Sequence, residues 1–197
     1  MDTTRLRRRG LRLEYATIAW NVIESGITIG LGIYADSIAL VAFGLDSIIE
    51  VFASGVVVWH EIRIEDPGDR TTRALRLIGA AFFTLAAFLT IVAVARLVGG
   101  VVPDESPLGI AYLGLTVIVM LTLARLKQTT GDALESRPLQ AEARVTYLDA
   151  ALAAGILVAL VLFALVGWWW ADPIAALAVA AIAAHEGREA WEGELDG

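Results

Sequence analysis

The feature that most constrains this chain is the segregation of its polar residues into short runs between six long apolar stretches. A helix needs about 20 apolar residues to cross the hydrocarbon layer of a bilayer. Six stretches approach that length: Tyr15–Tyr34, Ile38–Trp59, Leu75–Val98, Leu108–Leu126, Val145–Gly167 and Pro173–Ala184. The sixth is short, with room to continue toward Trp191. Long unbroken runs without ten-residue alternation read as helices rather than barrel strands. The expected fold is an all-α, six-transmembrane-helix bundle. It divides into a basic N-terminal tail over 1–14, a transmembrane domain over 15–190 and a short tail over 191–197.

Composition agrees: 57% of the 197 residues are hydrophobic and only 19% charged, against roughly half and a quarter in soluble domains. The absence of cysteine excludes disulfides and thiolate metal sites. A net charge of −7 argues against a nucleic-acid partner. The start RLRRRGLR is like the charged region of a signal peptide, but the apolar run after it is too long and carries Glu24, so it reads as an uncleaved first span. Fourteen of the fifteen Lys and Arg residues fall in the N-terminal tail, the 2–3 and 4–5 connections and the C-terminal end; only Arg96 lies toward the other side. That bias predicts both termini in the cytoplasm. The cluster Trp168, Trp169 and Trp170 sits at an outer span end, where indoles favour the headgroup region; a binding cage is the alternative. Gly26 and Gly30 form a small-xxx-small pair that predicts close helix packing.

Function is to be sought in the acids inside the spans. An ionised carboxylate at the bilayer centre costs about 2.5–3.5 kcal/mol on insertion scales and persists where it faces protein, water or a partner. Asp46 and Glu50 are four apart in FGLDSIIEVF and share one helical face. Two like charges there repel, and a proton, a cation or a basic partner relieves them. No Lys or Arg is expected at that depth, which favours ion or proton handling over a packing ion pair; a proton shared by the two carboxyls is the bland alternative. Asp149, in ARVTYLDAALAAG, is a third candidate, with an ordinary acid near the span end as its rival reading. Glu24, three residues after Asn21, reads as a supporting group, a proton relay or a capped structural carboxyl. Asp36 and Asp172 at outer helix ends read as solvated or capping residues, and His60 and His185 as solvated terminal histidines.

The segment SIALVAFGLDSIIEVFASG resembles the second transmembrane helix of the cation diffusion facilitators, with Asp46 and Glu50 at its two ligand positions. LQAEARVTYLDAALAAGI resembles the start of their fifth helix; Asp149 matches the second ligand position and Val145 stands at the first. The resemblance implies a tetrahedral site for Zn(II), Mn(II) or a similar ion, exchange of the cation for protons, and a homodimer in a bacterial cell membrane. It also leads to the expectation of a transmembrane domain without the family's cytoplasmic metal-sensing domain. The metal set so implied is Asp46, Glu50 and Asp149, with Glu24 or Asn21 in support. Oxygen donors alone suit Mn(II), Mg(II) or Fe(II) better than Zn(II), with Co(II) also open.

The expected function is therefore export of a divalent cation, bound as substrate rather than cofactor, against protons. A non-transporting cation sensor or partner subunit is the rival that Val145 favours. An intramembrane enzyme with paired aspartates is a weaker one, so no enzymatic activity is expected.

Overall fold

The computed structural model describes residues 3–62 and 67–192. Side chains over 53–75, with Arg137, Pro138 and Ala141, lie outside the described residues, among them the sequence candidates His60, Arg63, Arg70 and Arg73. Six helices follow one another: α1 Thr3–Tyr34, α2 Ile38–Ile62, α3 Pro67–Gly99, α4 Pro107–Leu134, α5 Arg137–Val166 and α6 Ala171–Glu192. Among the described residues, α1, α3, α4 and α5 are long and apolar enough to cross a membrane by length and composition. The other two are 25 and 22 residues long, and at 1.5 Å per residue even the shorter extends about 33 Å.

The helices outrun the apolar stretches. The residues read as an N-terminal tail are the first turns of α1, with Leu6 and Leu13 buried, and α4 runs two turns beyond Leu126. Hydrophobicity reports where lipid ends, whereas a helix ends where its backbone is capped. Ser106 accepts from the Gly109 amide to start α4, and Pro107 stands at its first turn. Glu135 in the left-handed region closes it.

Short turns of three, two and four residues join α1 to α2, α4 to α5 and α5 to α6. The principal packings are α4 on α5, α3 on α6 and α1 on α2, while α2 touches α5 at few points. The apolar core lies among α2, α3, α5 and α6, with Leu40, Phe43, Ile78, Leu89 and Ile156 buried against the alanines of α6, Ala176, Ala180 and Ala183. Close approach depends on glycines other than the expected pair. A methyl on Gly44 of α2 would lie 2.5 Å from the Thr28 hydroxyl of α1, and one on Gly79 of α3 would lie 2.9 Å from the Gly187 carbonyl of α6. Gly26 and Gly30 are exposed and meet nothing. Their spacing places them on one face, but that face turns away from the bundle.

Both ends of the bundle are tied by charge. At the end remote from the N-terminus, Asp172 of α6 is 1% exposed; it accepts from the Ser37 hydroxyl and, at 2.9 Å, from the Ile38 amide. It thus caps α2 from another helix. Beside it, Arg96 donates to the Asp36 carbonyl and carboxylate, both at 2.5 Å. Trp168 and Trp170 stack on each other at 5.1 Å at this end, half exposed. Removing the Asp172 carboxylate leaves buried donors without an acceptor. D172A is expected to lower unfolding stability in detergent by about 1–3 kcal/mol. D36A, at an exposed pair, should cost under about 1 kcal/mol. Equal losses would refute the cap's role.

Candidate functional site

Asp46 and Glu50 occupy the first half and the middle of α2, and Asp149 the middle of α5. Asp46 and Asp149 are buried, and Glu50 is partly so. The seam between these two helices brings the acids together. The Glu50 and Asp149 carboxyls lie side by side across this seam. Carboxylates are acceptors only, so two facing carboxyls repel unless a proton or a cation stands between them. Asp149 and Asp46 also act on each other electrostatically across the seam. Asp149 is thus a partner of the α2 acids and not an isolated residue at a span end.

Glu50 is held from a third helix. Asn21 of α1 donates from Nδ2 to Glu50 Oε2 at 3.1 Å. Glu24, one turn further along α1, is 1% exposed. It accepts from Trp20 Nε1 at 3.3 Å and, in a long contact of 3.5 Å, from the Ser47 hydroxyl. The Thr116 hydroxyl sits beside it without a well-aligned bond. Trp20 in turn stacks parallel to Tyr112 of α4, with ring centres 6.1 Å apart. Glu24 is therefore a carboxyl satisfied by donors, next to the α2–α5 acids and apart from their direct contact.

Among the described residues, no three Asp, Glu or His side chains converge as a ready metal cluster. Two features account for the spread: Asn21 draws Glu50 toward α1, and Asp46 stands one helical turn away. Val145, one turn before Asp149, is 44% exposed and offers no donor atom. His185 lies on the surface, paired with Glu189 at 3.1 Å, in keeping with a solvated terminal position.

Two charged residues near the site escaped the sequence reading. Lys127 of α4 is 0% exposed, its ammonium 3.0 Å from Glu14 of α1 and 3.5 Å from Glu142 of α5. Glu142 precedes Asp149 by two turns of α5, which places the Lys127 ammonium toward the end of the bundle rather than at the level of the acids. The position of Lys127 just beyond Leu126 looked like a connection because hydropathy falls there, yet the helix continues. Glu186 of α6 acts electrostatically on both Asp46 and Asp149. It follows the apolar part of its helix, within 15–190 but past the sixth apolar stretch, and was not singled out. Helical continuation toward Trp191 was the available signal.

Comparison with known proteins adds a relationship to this geometry. Residues 76–192 match the family described as the cation efflux transmembrane domain. The chain is 28% identical over 188 residues to the uncharacterized transporter sll1263 of Synechocystis sp., covering 90% of this chain and 59% of that protein. It is 31% identical over 170 residues to the magnetosome protein MamB of Magnetospirillum gryphiswaldense, covering 81% of this chain and 56% of that one. The chain thus spans less than two thirds of the length of either relative.

Lys127 ties α1, α4 and α5 at the end of the bundle that carries the N-terminus. Breaking a buried pair from one side is costly because the remaining charges lose their partner. K127A is expected to destabilise the protein by about 3–5 kcal/mol. E142A, whose side chain is half exposed, should cost under about 1 kcal/mol. Thermal unfolding of both variants in one detergent checks this, and similar losses would count against the tie.

Proposed function

The chain belongs to the cation efflux family, and on that premise we propose that it carries a divalent cation across a bacterial cell membrane in exchange for protons. Asp46, Glu50 and Asp149 bind the ion between α2 and α5. The observation that supports this best is the juxtaposition of the Glu50 and Asp149 carboxyls across a sparsely packed seam. Two facing carboxyls are relieved either by a proton or by a dication, and binding the dication as two carboxylates means giving the proton up. The same atoms therefore serve both substrates in turn.

In this reading the cation enters from the cytoplasm, at the end that carries fourteen of the fifteen basic residues and both termini. The ion's charge offsets the repulsion between the acids, so Asp46 and Glu50 turn toward Asp149 and complete an oxygen site. Rocking of the α2–α5 seam exposes that site outward, where protons displace the ion. Oxygen donors favour Mn(II), Mg(II) or Fe(II) over Zn(II). Glu24 supports the site electrostatically from α1. Dimer formation with a second copy belongs to the same proposal.

The lack of convergence among three acid or histidine side chains in the described residues favours a second reading, a non-transporting cation sensor or partner subunit. Flux separates the two. In liposomes holding a metal-sensitive dye, the parent is expected to give saturable Mn(II) uptake that depends on a proton gradient. D46A, E50A and D149A should each reduce it at least about a hundredfold, the change made by roughly 2.7 kcal/mol of lost binding. Cation binding without flux in the parent would establish the sensor reading. Unchanged flux in all three variants would remove these residues from the site.

A further inference from the structure

Asn21 has one amide atom engaged and one idle. Its Nδ2 donates to Glu50 Oε2 at 3.1 Å, which leaves the carbonyl oxygen to point elsewhere. That Oδ1 is buried without a hydrogen-bond partner among the described residues, and the residue as a whole is only 6% exposed. The orientation follows from chemistry. Exchanging the amide atoms would set Oδ1 against an acceptor oxygen of Glu50. A buried acceptor without a donor is unfavourable, and such groups in folded proteins usually have a role that explains them.

The surroundings supply that role. Asn21 is on α1, Glu50 on α2 and Asp149 on α5, and the contacts run in sequence from the amide to Glu50 to Asp149. On α5 the residue one turn before Asp149 is Val145, which brings no donor atom. An amide oxygen is a neutral hard donor of the type that binds Mn(II), Ca(II) or Mg(II) beside carboxylates. It also completes the site without adding a charge to an already acidic seam.

We infer that the side-chain oxygen of Asn21 is a direct ligand of the cation, supplying from α1 the fourth donor that Val145 does not supply from α5. This inference rests on the carboxylate site proposed above. It makes the site a three-helix one, joining α1 to α2 and α5 when the ion is bound. It also selects for hard divalent cations, because all four donors are oxygens.

Mn(II) binding to the intact chain in detergent, read from the loss of the free-ion electron paramagnetic resonance signal, tests the inference. Variants are compared at matched thermal stability. N21A is expected to weaken Mn(II) binding about tenfold or more. N21D keeps an oxygen but loses the N–H that holds Glu50, so a ligand role predicts retained binding and a mere positioning role predicts the same loss as N21A. V145D in the N21A background should restore binding by returning an oxygen from α5. Loss in N21A that neither N21D nor V145D repairs would overturn the ligand role. Parent-like binding by N21A while D149A binds nothing would also overturn it, with the carboxylate site intact. A parent that binds no Mn(II), Mg(II), Fe(II), Co(II) or Zn(II) would overturn the site and the inference together.

Discussion

The structure turns on the burial of several carboxyl groups in one seam of a membrane-embedded bundle. A lone carboxylate in that setting is expensive, and several together cannot all be ionised without a compensating charge. Glu50 and Asp149 face each other across the seam, and a proton between them would be one resolution of this conflict. A bound dication is the other. Two mutually exclusive resolutions, each tied to a different ion, are what the proposed exchange requires.

The packing around the seam fits that purpose. Helices α4 and α5, α3 and α6, and α1 and α2 pack extensively, whereas α2 and α5 meet sparsely. Charge fixes the bundle at both ends, through Asp172 on the α2 N-terminus and through Lys127 between Glu14 and Glu142. The ties thus hold the perimeter and leave the acid-bearing seam as the weaker contact. In the proposed exchange, relative motion of α2 and α5 would fall where the acids are.

Much of this was legible in the sequence, for physical reasons that also explain the gaps. Lipid demands long apolar runs, so the number of helices and the oddity of Asp46, Glu50 and Asp149 within them could be read directly. Helix ends could not, since α1 and α4 continue beyond the apolar limit, and Lys127 and Glu186, just past the apolar stretches, were therefore not singled out. Gly26 and Gly30 were assigned to an interface because a spacing of four fixes a shared face without saying which way it turns; Gly44 and Gly79 make the close contacts instead. The link from Asn21 to Glu50 joins residues 29 positions apart on different helices. Their pairing depends on the rotation of α1 against α2, which composition does not encode. The position of Glu24 was readable, but its donors, Trp20 and Ser47, became visible only in the fold.

The most direct measurement is a count of the protons released when the cation binds. Mn(II) would be titrated into the detergent-solubilised protein in weakly buffered solution with a pH indicator, beside an E50Q/D149N double variant. Exchange at the carboxyl pair predicts release of roughly one proton per Mn(II) bound by the parent and none from the double variant. Saturable binding by the parent with no proton release would contradict exchange through the Glu50–Asp149 pair.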